Sequence, residues 1–156
     1  MSEILVVGSL AYDSIETPSG KADRALGGSA NYFSLAASLF SKVRVVGVVG
    51  EDYSDKDRDL LAKRGVDLSG MTVQPGRTFH WEGAYKGDMN EAITLKTELN
   101  VFEKFDPVLP NHYKDSRFVF LANISPDLQG KVLDQCQKPL LVGMDTMNFW
   151  ISSKLE

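Results

Sequence analysis

Ala25-Leu-Gly-Gly-Ser-Ala-Asn-Tyr-Phe-Ser-Leu-Ala-Ala-Ser-Leu-Phe40 reads as a glycine turn that opens a helix of small residues. Gly27 and Gly28 carry no Cβ, so the backbone there can turn sharply and a ligand can approach the main chain closely. Gly28 or Ser29 is placed to cap the helix, whose first-turn N–H groups attract polar or anionic groups. Phe33, Ala36, Ala37 and Phe40 recur at i, i+3, i+4 and i+7, which predicts them as the buried face. Alanine and serine elsewhere let such a helix lie close on a sheet. A Gly-Gly before a helix is more often a plain turn than a binding element, so the reading depends on the neighbouring segments.

Upstream, Ile4 to Val7 is a short apolar, β-branched run ending at Gly8, which predicts a parallel strand covered on both faces. Ser9 to Ile15 continues extended and puts Asp13 just past that strand, where open α/β sheets bind ligands. Read alone, Asp13 is a turn or cap residue. Thr17 to Asp23 reads as a polar loop. Its Ser19-Gly20-Lys21-Ala22 lacks the upstream glycine and the Ser/Thr after lysine that a phosphate loop requires.

Downstream, Val43 to Val49 predicts a second buried strand, and a helix follows from about Ser54 to Arg64, stopped at Gly65. From Val66 to Leu99 the pattern changes to partly alternating strands at Met71–Val73, Thr78–Tyr85 and Ala92–Leu99, with a turn over Lys86–Asn90. This predicts an antiparallel flap, with lid segments at about 11–18 and 71–99. Trp81 and Tyr85 fall on one face of it, where they could stack on a ligand such as a nucleoside base, although packing or a subunit contact is the plainer role. Phe118–Leu121 and Leu140–Met144 are two more core strands, separated by a helix with Pro126 in its first turn. They deliver Asn123, Asp145 and Asn148 at their ends. The fold class is therefore α/β: a mostly parallel, Rossmann-like sheet flanked by helices, with a small antiparallel β lid.

Several functions are excluded by what the 156 residues contain. A composition 43% hydrophobic and 24% charged, with net charge −4 and no Lys/Arg run, argues against a nucleic-acid partner. No apolar run approaches a membrane span, and the N-terminus lacks the pattern of a signal peptide. The single cysteine, Cys136, excludes an intrachain disulfide and suits a cytoplasmic location. Two histidines and one cysteine at no ligand spacing leave no metal site, and neither His80 nor His112 has the setting of a hydrolytic triad.

Assembled, the chain resembles the N-terminal half of a ribokinase-like, PfkB-family carbohydrate kinase. Val6-Val-Gly-Ser-Leu-Ala-Tyr-Asp13 resembles the first strand with its sugar-binding aspartate. Gly27-Gly-Ser-Ala-Asn31 resembles the Gly-Gly…Asn substrate motif, although the interval is a residue or so shorter than in many members. Gly47-Val-Val-Gly-Glu-Asp52 with Leu60…Gly65-Val-Asp67 resembles the second conserved block, with Asp55 where glycine is common. Gly143-Met-Asp-Thr-Met-Asn148 resembles the mid-chain segment.

The resemblance implies that residues 1–156 form the N-terminal part of a kinase domain whose flap closes over a sugar or nucleoside and often makes a homodimer contact. It implies substrate-binding roles for Asp13, Gly27, Gly28, Asn31 and Asn123, and places Asp145 and Asn148 on the nucleotide and phosphate side. ATP and Mg²⁺ would be the cofactors. The family supplies an Asn-x-x-Glu segment that organises Mg²⁺, a Gly-Ala-Gly-Asp motif with the catalytic aspartate and anion hole, and most of the ATP pocket from its C-terminal half; neither string is expected in this chain, so no catalytic residue is assigned. The expectation is the substrate-binding and lid half of an ATP-dependent kinase, inactive alone. Two rivals stand beside it: a non-catalytic sugar-binding or regulatory module, and a dimerisation unit in which the flap aromatics pair and Asp13 is only a cap.

Overall fold

The computed structural model describes residues 3–154. In chain order its elements are β1 (Glu3–Val7), β2 (Ala11–Thr17), β3 (Gly20–Gly27), α1 (Ser29–Ala37), β4 (Lys42–Gly50), α2 (Asp55–Lys63) and β5 (Val66–Gln74). Then come β6 (Phe79–Tyr85), β7 (Ala92–Glu98), two short 3₁₀ turns, β8 (Phe118–Leu121), α3 (Pro126–Gln135), β9 (Leu141–Met144) and α4 (Asn148–Ser153).

Five strands form one sheet in the order β5-β4-β1-β8-β9, and every neighbouring pair is parallel. The central strand is apolar throughout its buried length because both of its faces are covered. Leu5 and Val7 point into one core with Leu109, Tyr113 and Val132. Val6 points into the other with Ala30, Val45 and Leu61. Burying each such side chain contributes roughly 1.5–3 kcal/mol, and the strict alternation fixes the register.

The helix after the glycine turn is shorter than its apolar spacing predicts. α1 ends at Ala37, so Phe40 lies beyond it and is 89% exposed. The buried positions are Ala30, Asn31 and Ser34, while Phe33 lies flat on Phe120 of β8 with ring centroids 3.6 Å apart. Small side chains on the buried face let the helix approach the sheet closely. α2 follows its sequence signals: the Ser54 hydroxyl accepts from the Asp57 N–H at 3.1 Å, and Gly65 stops the helix at φ +75.

The lid is a second sheet of order β3-β2-β6-β7. The lid departs from its predicted form in three ways. Residues 17–23 are not a loop: a turn in which the Thr17 hydroxyl donates to the Gly20 carbonyl at 3.1 Å folds β2 back onto β3. Met71–Val73 is not part of the flap either; it is the end of β5, paired with β4 at the margin of the large sheet. The lid is also mixed, since β2 and β6 run parallel between two antiparallel neighbours.

Candidate functional site

The chain leaves β1 at Gly8 and Ser9, and Ser9 anchors the start of α1. Its hydroxyl accepts the Ser29 N–H at 3.2 Å and its carbonyl accepts the Ala30 N–H at 3.1 Å. Ser29 Oγ in turn accepts the Asn123 N–H at 2.8 Å. Two first-turn donors of α1 are thus consumed inside the protein, so this helix N-terminus is less open to a ligand than its sequence implies. Gly28 caps the helix at φ +87, and a Cβ there would fall 2.8 Å from the Ala11 nitrogen and closer still to the Ser9 carbonyl. Only glycine fits.

Gly27 faces Asp13. A Cβ at Gly27 would land on the Asp13 carboxyl group, so the missing side chain is what gives that carboxylate its space. Asp13 sits within β2, opposite Ala25 of β3 and Trp81 of β6, not beyond the end of a core strand. It is half-buried and makes no hydrogen bond among the described residues. Burial raises its pKa above the ordinary carboxylate value, and the nearby His80 works against that rise. A carboxylate desolvated in this way accepts hydrogen bonds from any hydroxyl that reaches it.

Asn31 is completely buried beneath the turn. Its amide donates to the Gly27 carbonyl at 2.6 Å and accepts from the Tyr53 hydroxyl at 3.1 Å. It holds the turn in shape from behind. Asn123, brought alongside through Ser29, has a buried Oδ1 with no hydrogen-bond partner. Asp145 lies one strand further on, its N–H donating to the Leu121 carbonyl at 2.9 Å. Asn148 is exposed at the start of α4. Asp13, Gly27, Gly28, Asn31 and Asn123 therefore meet around Ser9 and Ser29, with Asp145 beside them and Asn148 outside.

One residue that sequence reasoning missed secures the second half of this shelf. Gln129 of α3 is 3% exposed, and its amide nitrogen donates to the carbonyls of Leu121, Ala122 and Asp145 at 3.0–3.2 Å. A glutamine on a helix face carries no signal of backbone partners on other segments.

No protein-family profile matches the chain. It is 27% identical over 137 residues to a cytidine kinase of Thermococcus kodakarensis, a match covering 86% of this chain and 48% of that one. The nucleoside kinase of Methanocaldococcus jannaschii, an archaeal member of the ribokinase family, superposes with TM-score 0.68 at 20% identity over 93% of this chain and 52% of that one. A ribokinase-like protein of E. coli in complex with ATP and Mg²⁺ superposes with TM-score 0.72 at 16% identity, covering 93% and 53%. The chain has the ribokinase-like fold. It is similar to kinases in sequence as well as in structure, and it spans about half the length of these relatives.

Within the ribokinase-like fold the lid carries its own charged cluster. The ligating atoms of His80, Glu82 and Glu98 lie within 4.8 Å of one another. Lys96 already supplies the cation there, with its ammonium 3.1 Å from Glu98 and 4.0 Å from Glu82. His80 Nε2 meets the Ser14 hydroxyl at 2.9 Å, and that hydroxyl donates to Asp23 at 2.6 Å. The cluster staples β2, β3, β6 and β7 together.

Contrary to the expectation from sequence, an Asn-x-x-Glu string does occur, at Asn100-Val-Phe-Glu103, but the structure uses it in packing. Asn100 donates to the Thr78 carbonyl at 3.0 Å and Phe102 stacks on Phe79, so the segment is a packed 3₁₀ turn. Asp145 offers one oxygen ligand, and among the described residues no acidic cluster surrounds it. These residues alone do not complete a magnesium site. A hollow of about 610 Å³ lies at the opposite end of the strands beside Lys42, Arg44 and Arg64.

Proposed function

We propose that this chain is the substrate-binding and lid half of an ATP-dependent kinase whose acceptor is a nucleoside or a sugar. The observation that carries the reading is the Asp13 carboxylate: half-buried, without a hydrogen-bonding partner among the described residues, and kept clear by Gly27. Burying a carboxylate with nothing to hydrogen-bond it is costly, and a site that does so is organised for a ligand that supplies the donors. Adjacent hydroxyls of a pentose are such donors. In this reading Gly27 and Gly28 let the ligand approach the main chain, and Asn31 keeps the turn in place. Asp145 and Asn148 face the side from which the phosphoryl group arrives. The similarity to a cytidine kinase and a nucleoside kinase favours a nucleoside among the hydroxyl-bearing acceptors.

ATP and Mg²⁺ are the cofactors of the complete enzyme, and the groups that stabilise the transferred phosphoryl lie outside these residues. Residues 1–156 alone bind the acceptor weakly and transfer no phosphate. The test is calorimetric titration of cytidine, adenosine and D-ribose into the chain and its Asp13→Asn variant, beside a kinase assay with ATP and Mg²⁺. Binding that Asp13→Asn abolishes, without turnover, is expected. No binding of any probe, or unaltered binding by the variant, would sink the reading.

A further inference from the structure

We propose that His80, Glu82 and Glu98 on the lid bind a divalent transition-metal ion of the Zn²⁺ class, with Ser14 and Asp23 orienting the imidazole ligand. The site does not depend on Asp13 binding an acceptor.

Strand pairing assembles the three ligands. His80 and Glu82 are two apart on β6 and so share a face, and Glu98 on β7 is the direct antiparallel partner of His80. Sequence spacing shows only the first two, because the third ligand arrives from another strand. His80 Nδ1 lies 3.3 Å from Glu98 Oε2 and 3.8 Å from Glu82 Oε1, and the three ligating atoms all fall within 4.8 Å of one another. A tetrahedral ion with bonds of about 2.0–2.2 Å holds its ligand atoms about 3.3–3.6 Å apart. One edge of that tetrahedron already has its length. Small rotations of the two carboxylates, each about one-third exposed, complete the others.

The hydrogen bonds behind the ring decide which nitrogen is free. The Ser14 hydroxyl has one proton, which it donates to the Asp23 carboxylate at 2.6 Å. The same oxygen accepts the Arg24 N–H at 3.1 Å. It therefore meets His80 Nε2, 2.9 Å away, as an acceptor, and Nε2 carries the ring proton. In the neutral ring Nδ1 is then a lone pair beside two carboxylates, an arrangement that repels itself unless a cation lies among them. A ring N–H held from behind by a hydroxyl and a carboxylate is also how metal-binding histidines are fixed in tautomer and plane.

Lys96 is the counter-ion when no metal is bound, its ammonium 3.1 Å from Glu98 and 4.0 Å from Glu82. Its side chain is 54% exposed on a flexible stem, so it yields to an ion that ligates all three groups at once. One imidazole nitrogen with two carboxylate oxygens suits Zn²⁺ better than Mg²⁺ or Ca²⁺, which take oxygen shells of about six or more. A bound ion ties β6 to β7 directly, and through Ser14 and Asp23 it reaches β2 and β3.

The test is calorimetric titration of ZnCl₂ into the full 156-residue chain at neutral pH in a non-chelating buffer, with thermal melting in parallel. Wild type is expected to bind a single Zn²⁺ and to gain roughly 5–10 °C in Tm at a hundredfold excess over Kd. MgCl₂ is expected to do neither. Glu98→Gln should weaken binding by at least about tenfold, and Ser14→Ala by about 10- to 100-fold. Lys96→Met removes the competing ammonium and should tighten binding, a gain that a misfolded variant does not show. His112→Ala, at the other imidazole–carboxylate pair with Asp67 3.9 Å away, should change nothing. If Zn²⁺ fails to bind, binds no better than Mg²⁺, is lost with His112→Ala or is unaffected by Glu98→Gln, the metal site is wrong. The cluster is then a charge staple with Lys96 as its cation.

Discussion

The Arg24 guanidinium on lid strand β3 reaches the Asp52 carboxylate beside the core sheet at 2.9 Å, and the two residues differ in what depends on them. Arg24 lies over the Tyr12 ring at 4.5 Å and is partly exposed. Asp52 also accepts the Thr78 N–H and hydroxyl, each at 2.7 Å, where the chain enters β6. Arg24→Ala therefore removes a solvent-screened pair and a partly exposed cation–π contact, each worth about 0–1 kcal/mol. Asp52→Ala strands the buried Thr78 donors and costs about 1–3 kcal/mol. Urea unfolding of both variants checks this ordering, and equal losses would contradict it. Burial alone would raise the Asp52 pKa, but Thr78 and Arg24 outweigh it and lower the pKa. The stability from Asp52 is thus full above the ordinary aspartate value and is lost as pH falls through the lowered one.

Gly28→Ala combines a backbone at φ +87 with a collision against the Ser9 main chain. Strain of this kind costs about 1–3 kcal/mol before any clash is counted. Gly27→Ala has an ordinary backbone but places its methyl on the Asp13 carboxyl. The prediction is a divergence: Gly28→Ala lowers Tm sharply, while Gly27→Ala acts mainly on ligand affinity. A binding-competent, fully stable Gly28→Ala protein would refute the account of the turn.

Asn31→Ala leaves the Gly27 carbonyl and the Tyr53 hydroxyl unpaired in a buried place. The expected loss is about 2–4 kcal/mol, from two groups at about 1–3 kcal/mol each with partial relaxation. Tyr53→Phe, which removes just one partner of Asn31, costs less. Chemical denaturation of both variants decides between this and a direct ligand role for Asn31, which would weaken binding at unchanged stability.

Asp13 makes the pH dependence of binding run opposite to that of folding. Its pKa in the folded chain is raised by burial, so the folded state holds a proton that the unfolded state has released. Its contribution to stability is intact below the ordinary aspartate value and falls as pH rises through the raised one. Asp13→Asn is therefore expected to raise Tm at neutral pH and to leave it unchanged in acid. Ligand hydroxyls need the ionised form, so affinity should decline as pH falls through that same raised value. Paired melting and titration curves over acidic to neutral pH test both arms; a variant less stable than wild type at neutral pH contradicts the first.

The core was legible because runs such as Val43–Val49 and Phe118–Leu121 can be nothing but covered strands, and the helices between them dictate parallel pairing. β3 was not. Gly20-Lys-Ala-Asp-Arg-Ala-Leu-Gly27 is mostly exposed and polar, and it is extended only because β2 pairs with it along one edge. Asp13 and the glycine pair were conspicuous in the sequence, yet the contact between Gly27 and the carboxylate depends on that same unread strand. Asn31 and Gln129 mark the limit of sequence reasoning. Each occupies a helix position that suits solvent, and each is buried because backbone carbonyls outside its helix meet it there.

The last prediction concerns β9, which pairs with β8 on one side and, among the described residues, has no strand on the other. Leu141 is 63% exposed and Met144 59%, and Phe149 and Ile151 of α4 extend the apolar surface. An uncovered parallel edge flanked by apolar side chains is a template for another strand. A polypeptide of residues 1–156 studied by itself is expected to self-associate with rising concentration. Val142→Lys, which introduces a charge on that edge strand, should restore a monomer without altering Asp13-dependent binding. Sedimentation velocity over a wide concentration range distinguishes the outcomes. A wild-type chain that stays monomeric throughout would contradict the reading of β9 as an open, pairing-competent edge.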